Sequence, residues 1–169
     1  MRKIFLLLAL IFLLPMRICS ANTVPVSDLN VYKFIEICNV FFESTKINRE
    51  IKLDMVQNQG NFVLYFCSNY PDVIILFANQ AGTVSKIMIT SRTDIDNMYG
   101  TLSLLPCLAV IGLSPEEAAE IIRDPSKNSS VWCTSTKRQI ILQLYEKVGN
   151  GIGMMLKAND VYYGDDEIN

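Results

Sequence analysis

Short apolar runs separated by brief turns are the feature that most constrains how this chain can fold. The runs predicted as strands are Ile51–Gln57, Phe62–Cys67, Val73–Ala78 and Val84–Thr90. They are rich in β-branched and aromatic residues, which favour strands. A parallel pairing needs a crossover of about a dozen residues or more, and these connections are shorter than that. The segment is therefore predicted to form an antiparallel meander.

A second group of apolar runs lies nearer the C-terminus. Strands are predicted at Ser130–Ser135, Arg138–Lys147 and Ile152–Ala158. Val148–Gly151, which contains Gly149-Asn150-Gly151, is predicted to join the last two as a hairpin, because glycine and asparagine adopt the positive φ angles of tight turns. Both groups together give a sheet of six or seven antiparallel strands.

Helical periodicity precedes the first group of strands. Between Ser27 and Thr45 the apolar residues recur at spacings of three and four, which places them on one face of a helix. Those residues are Val31, Phe34, Ile35, Cys38, Phe41 and Phe42. Ser27 or Asp28 is the predicted N-cap, since both side chains can accept a hydrogen bond from the first turn.

Two further helical segments lie between the groups of strands. One begins at Ser91 or Thr93 and ends at Gly112. The other, Pro115–Arg123, follows Ser114 and has Glu117 three residues after that serine, which is the pattern of a capping box. The sequence thus predicts an α+β fold with helices packed on one face of the antiparallel sheet.

The two groups of strands resemble each other at an offset of 66 residues (133 − 67). Phe66–Ser68 corresponds to Trp132–Thr134, and Ile74–Leu76 corresponds to Ile140–Leu142. One interpretation is a tandem repeat of a helix-plus-meander unit, about 27–90 and 94–158, within a single domain of residues 22–159. The alternative is chance, because all strands are rich in the same residue types.

The N-terminal segment Met1–Ala21 has the features of a secretory signal peptide. Arg2 and Lys3 precede the apolar run Ile4–Leu14, and Cys19–Ala21 supplies small residues for cleavage after Ala21. An uncleaved anchor or a lipid attachment site at Cys19 are the weaker alternatives. The protein is therefore expected to be exported, either periplasmic or extracellular, with no stable membrane anchor after cleavage.

Charge and composition disfavour several classes of function. The predicted signal holds three of the 15 basic residues and none of the 17 acidic ones, so the remainder has a net charge of 12 − 17 = −5. Basic residues are scattered, which argues against nucleic acid as a partner. The acidic segment 160–169 is predicted to be a mobile tail.

The chain contains no histidine, which removes the commonest general base and zinc ligand. Asp94 and Asp96 are the nearest approach to a carboxylate pair, but two residues apart on a helix they point in different directions. No catalytic, cofactor-binding or metal-binding residue is therefore assigned, and a non-enzymatic role is favoured.

Four cysteines follow the predicted signal: Cys38, Cys67, Cys107 and Cys133. An even number of cysteines in an exported chain favours disulfides. If the two halves are related, Cys38–Cys67 and Cys107–Cys133 would each connect a helix to its own strands. Four buried free thiols are the alternative.

A non-catalytic module that binds a protein partner through a sheet face is the leading functional hypothesis. The single tryptophan, Trp132, is a candidate for that surface, although its place beside a cysteine in a strand favours a role in the core. A carrier of a small molecule or lipid, with its site between helices and sheet, is the second hypothesis. A hydrolase built on carboxylates is the third.

Overall fold

The structure of this protein is a computed structural model that describes residues 24–91, 98–123, 128–148 and 151–159. The predicted signal peptide, the acidic segment 160–169 and the pair Asp94 and Asp96 lie outside the described residues.

The described ranges contain helices α1 (Val31–Ser44), α2 (Met98–Ile111) and α3 (Pro115–Ile121). Their strands are β1 (Lys52–Asn58), β2 (Val63–Asn69), β3 (Asp72–Ala78), β4 (Val84–Ser91), β5 (Ser129–Cys133), β6 (Arg138–Val148) and β7 (Gly151–Asn159). All seven strands form one sheet in the order β1-β2-β3-β4-β7-β6-β5, and every neighbouring pair is antiparallel.

This architecture confirms the predicted α+β fold. Strands β1 to β4 form the expected meander, and β5 to β7 form a second one. The two meanders join where β4 pairs with β7, so that Ile87 lies opposite Leu156 and Ile89 lies opposite Met154. The last strand in the sequence is therefore next to the centre of the sheet.

The main core lies between the helices and one face of the sheet. Helices contribute Val31, Phe34, Cys38, Phe42, Leu104, Cys107, Leu108, Ile111 and Ile121, all no more than 3 % exposed. The strands contribute side chains from alternate positions, such as Ile74 and Leu76 of β3. Complete burial of one large aliphatic or aromatic side chain is worth about 1.5–3 kcal/mol, so this layer supplies most of the stabilisation.

Helix α1 begins two or three residues later than predicted. Its N-cap is Asn30, whose side chain accepts a hydrogen bond of 3.0 Å from the backbone N–H three residues on. The backbone of Ser27 and Leu29 instead pairs with Val84, with N···O distances of 3.2 and 3.1 Å. This pairing keeps the segment extended, and Ser27 and Asp28 therefore cannot cap the helix.

The predicted capping box of α3 is present. Glu117 N–H donates to Ser114 Oγ at 3.2 Å, and Ser114 N–H donates to Glu117 Oε2 at 2.9 Å. The other carboxylate oxygen of Glu117 accepts from the backbone N–H and the hydroxyl of Thr134, at 3.0 and 2.7 Å. One side chain thus caps α3 and attaches it to the turn between β5 and β6.

The structure does not confirm the tandem repeat. Cys67 lies opposite Ile74 in the β2–β3 pair, so the 66-residue offset predicts that Cys133 lies opposite Ile140. Cys133 instead lies opposite Arg138, and Val131 occupies the position opposite Ile140. The sequence similarity therefore does not correspond to equivalent strand registers in the two meanders.

The hydrogen bonds of Glu117 make part of the stability dependent on pH. Donation from the backbone N–H of Ser114, followed by that of Thr134, lowers the pKa of Glu117 below its usual value of 4.5. A carboxyl whose pKa is lower in the folded than in the unfolded protein stabilises the fold at pH values above the pKa of the unfolded state. This stabilisation is lost as the pH falls through the pKa of the folded state.

We expect Glu117→Gln to lower the free energy of unfolding above about pH 5 and the difference from the parent protein to narrow below about pH 4. Urea unfolding at a series of pH values measures this difference. Glu120→Gln, at an exposed position of the same helix, is the matched control and should leave the pH profile unchanged. Parallel profiles for the parent and Glu117→Gln would contradict this assignment.

Candidate functional site

The face of the sheet that points away from the helices is the candidate site. Residues directly opposite each other on antiparallel strands project from the same face. One such row crosses all seven strands through Gln57, Leu64, Phe77, Lys86, Lys157, Ile141 and Ser130. We call this side the helix-free face, because its buried cluster contains no helical residue among those described.

The part of the helix-free face on β2, β3, β4 and β7 is strongly apolar. Its buried cluster consists of Leu64, Phe66, Ile75, Phe77, Met88 and Met155, which are at most 8 % exposed. Met55, Phe62, Val73 and Tyr145 pack against this cluster and are partly buried. Both faces of the first meander therefore bury apolar side chains. Many antiparallel sheets instead bury one face and expose the other to solvent.

The part on β5, β6 and β7 remains accessible. Trp132 is 39 % exposed, whereas its neighbours Val131 and Cys133 are buried in the main core. Strand alternation therefore places the indole on the helix-free face and not in the main core, where the sequence favoured it. We define the lysine–tryptophan surface as Lys86, Trp132, Gln139, Ile141, Gln143 and Lys157, which are all partly or largely exposed.

Two lysines lie next to each other on this surface. Lys86 of β4 is directly opposite Lys157 of β7, and Ile141 of β6 is opposite Lys157 on its other side. Burial, and next the positive charge of Lys157, lower the pKa of Lys86 from its usual 10.5. Within the described residues neither lysine forms an ion pair.

Such an arrangement favours the binding of an anion. Like charges directly opposite each other destabilise a sheet, and partial burial removes some of the water that would screen them. A carboxylate placed between the two ammonium groups would relieve both effects. The same carboxylate would stand beside an apolar surface formed by Ile141 and Trp132.

A buried polar network between α2 and the first meander is a second candidate for a functional site. Arg49 Nη1 lies 3.1 Å from both Asp72 Oδ2 and Ser103 Oγ, and Asn69 Nδ2 donates to Ser103 Oγ at 3.0 Å. Ser103 Oγ in turn donates to Asp72 Oδ2. These contacts attach α2 to the turn between β2 and β3.

This network is structural rather than nucleophilic. The Ser103 hydroxyl donates its proton to Asp72 and accepts from Arg49 and Asn69, so both of its lone pairs are occupied. The side chains of Ser103, Asn69 and Asp72 are at most 2 % exposed. Among the described residues, the contacts of Asp72 are a guanidinium and a hydroxyl rather than a second carboxylate, and they give the hydrolase hypothesis no support.

The four cysteines are buried and carry free thiols. The Cys107 side chain, followed by burial, raises the pKa of the Cys38 thiol well above its usual range, and Cys67 adds a smaller contribution. Cys133 is next to Ser135, with an Sγ···Oγ distance of 3.4 Å. Cys38 and Cys107 therefore lie together where α1 packs on α2. The tandem-repeat interpretation would instead pair Cys38 with Cys67 and Cys107 with Cys133.

No protein-family model, curated protein or solved structure matches this chain. Over the described ranges, no helix combines the length and the apolar character that a membrane crossing requires. The same ranges hold no group of three or more cysteine or carboxylate side chains arranged for a metal ion.

Sequence patterns identified one part of this site and missed the other. Trp132 is singled out by being the only tryptophan. Lys86 and Lys157 carry no local signal, because their proximity depends on the pairing of β4 with β7. The alternation of each strand gives the face on which each lysine projects, but not which strands are neighbours.

The buried network yields a prediction for stability. Asp72→Asn should lower the free energy of unfolding by about 3–5 kcal/mol, because it removes the carboxylate that pairs with the buried guanidinium of Arg49. Glu36→Gln is the control, since Lys33 and Glu36 form an exposed pair worth about 1 kcal/mol or less. Urea unfolding measures both, and an equal loss for the two variants would contradict the structural role.

Proposed function

We propose that this protein is an exported, non-catalytic binding module that holds an acidic, partly apolar segment of a protein partner on its lysine–tryptophan surface. The observation that carries the proposal is the in-register pair of Lys86 and Lys157 without a carboxylate partner among the described residues. Export follows from the predicted signal peptide Met1–Ala21 and is part of the same proposal.

The two lysines require a negative charge on the partner. Each lysine is partly buried, and the two positive charges oppose each other across one strand pair. An Asp or Glu side chain of the partner would pair with both ammonium groups. Hydrogen bonds to charged groups contribute about 1.5–3 kcal/mol, which is enough to orient a segment of the partner.

The apolar requirement follows from the neighbouring strands. Ile141 is one strand from Lys157, and Trp132 lies on the strand beyond it. Strands are about 4.8 Å apart, so an apolar side chain over Ile141 and Trp132 would be about 5–10 Å from the carboxylate. Residues two to three positions apart in an extended segment have this spacing, which is why a peptide chain is the favoured ligand.

A carrier of a small apolar ligand remains the second hypothesis, but its expected location gains no support. Phe34, Cys38, Leu76 and Ile87, between the helices and the sheet, are at most 1 % exposed and belong to one packed cluster. A site in this layer would have to displace core side chains. A ligand held on the helix-free face would instead compete with the partner segment.

Intrinsic fluorescence can test the proposal, because Trp132 is the only tryptophan. The probe is a set of synthetic peptides that combine one Asp or Glu with Leu or Phe two or three residues away. We expect saturable changes in Trp132 emission with these peptides and at least about tenfold weaker binding when the acidic residue is replaced by its amide, a difference of about 1.4 kcal/mol.

The matched variants locate the site. Lys86→Gln/Lys157→Gln should weaken peptide binding by at least about tenfold, whereas Lys33→Gln/Lys52→Gln removes the same charge from exposed positions and should not change it. Equal affinities for the two double variants would overturn the site. Saturable binding of a fatty acid with no peptide binding would favour the carrier instead.

A further inference from the structure

Two thiols meet where α1 packs against α2. Cys38 lies on the buried side of α1, and Cys107 lies on the buried side of α2. Both side chains are completely buried in the main core, and the two helices are in contact. The Cys107 side chain is close enough to the Cys38 thiol to be the largest cause of its raised pKa, and the Cys107 thiol lies 3.4 Å from the backbone oxygen of Ser103.

The other two cysteines have different surroundings. Cys67 projects from β2, and its thiol lies 3.9 Å from the backbone oxygen of Tyr65 on its own strand. Cys133 on β5 has the hydroxyl of Ser135 as its neighbour. Cys67 also affects the pKa of Cys38, but as the last and smallest of the causes. Of the four thiols, Cys38 and Cys107 are therefore the pair that is completely buried between two helices in contact.

We propose that Cys38 and Cys107 form a disulfide when the protein folds under oxidising conditions, which would link α1 covalently to α2. The cellular occurrence of this bond rests on the proposed export, since disulfides persist in oxidising compartments. The choice of partner rests only on the packing of the helices. This pairing differs from the two pairings that the sequence suggests.

The reaction is a thiol–disulfide exchange with a disulfide as the oxidant. The thiolate of one cysteine attacks the oxidant and releases one of its two thiols, which leaves a mixed disulfide. The second cysteine then attacks the mixed disulfide, which forms the Sγ–Sγ bond and releases the other thiol. Cys38 and Cys107 lose two electrons and two protons, and the oxidant becomes two thiols.

The bond should form before α2 is fully packed. In the folded protein the hydrogen bond to Cys107, together with burial, raises the pKa of Cys38 well above its usual range. The attacking species is the thiolate, which is therefore scarce in the folded, reduced protein. Exchange requires a partly open state in which an external disulfide can reach the cysteines.

Peptide mapping tests the pairing directly, because trypsin separates the four cysteines. Cleavage after lysine and arginine places Cys38 in 34–46, Cys67 in 53–86, Cys107 in 93–123 and Cys133 in 128–137. The full chain is unfolded, reduced and refolded in a mixture of oxidised and reduced glutathione. Remaining thiols are then alkylated under denaturing conditions before digestion without reductant.

We expect peptide 34–46 linked to peptide 93–123, with a mass about 2 Da below the sum of the two reduced peptides. Cys67 and Cys133 should be alkylated. Linkage of peptide 34–46 to peptide 53–86 or 128–137 would overturn the proposal. Alkylation of Cys38, Cys67, Cys107 and Cys133 together in refolded protein would also overturn it. The experiment uses purified protein, so its outcome is independent of whether the protein is exported or binds peptides.

Paired variants give a second measurement. Reductant should lower the urea midpoint of the refolded parent protein and of Cys67→Ala/Cys133→Ala. It should leave the midpoint of Cys38→Ala/Cys107→Ala unchanged. Equal sensitivity of both double variants would contradict the pairing, and peptide mapping of the parent protein decides the question if a variant does not fold.

Discussion

The pairing of β4 with β7 is the interaction on which the rest of the structure depends. It joins two antiparallel meanders into one seven-stranded sheet. Without it, each meander would end in an edge strand with unpaired backbone groups. The pairing also fixes which side chains share a face, because strand positions alternate. Ile87 and Leu156 lie opposite each other in the main core, and Lys86 and Lys157 lie opposite each other on the helix-free face.

The two faces of the sheet consequently have different chemistry. On one side, the helices cover the strands with a continuous apolar layer, and Arg49, Asp72 and Ser103 attach α2 to the first meander through charged hydrogen bonds. On the other side, the first meander carries mainly apolar residues. Lys86 and Lys157 lie where the two meanders meet, and the second meander adds glutamine side chains and Trp132. The transition falls at the junction of β4 and β7, and the proposed binding surface lies there.

Local features of the sequence predicted the elements well and their long-range contacts poorly. The meander β1–β4, the helical stripe of α1 and the capping box of α3 all depend on residues a few positions apart, and each is present. The cap at Asn30 was missed because Ser27 pairs with Val84, far along the chain.

The lysine pair and the thiol contact between Cys38 and Cys107 were missed for a related reason. Each depends on elements that are distant in sequence, and side-chain alternation alone does not specify which elements become neighbours. Trp132 could be singled out because it is the only tryptophan, but its exposure on the helix-free face was not predicted. The sequence therefore indicated Trp132 of the candidate surface but neither of its two lysines.

Pairing of β4 with β7 brings Lys86 and Lys157 together on a partly buried face. NMR titration of the lysine ε-ammonium groups can measure the effect of this proximity. We expect a pKa for Lys86 below 10.5 that rises when Lys157 is replaced by glutamine, because one of the two causes of the shift is then removed. A Lys86 pKa at its usual value, or one that does not respond to Lys157→Gln, would contradict it.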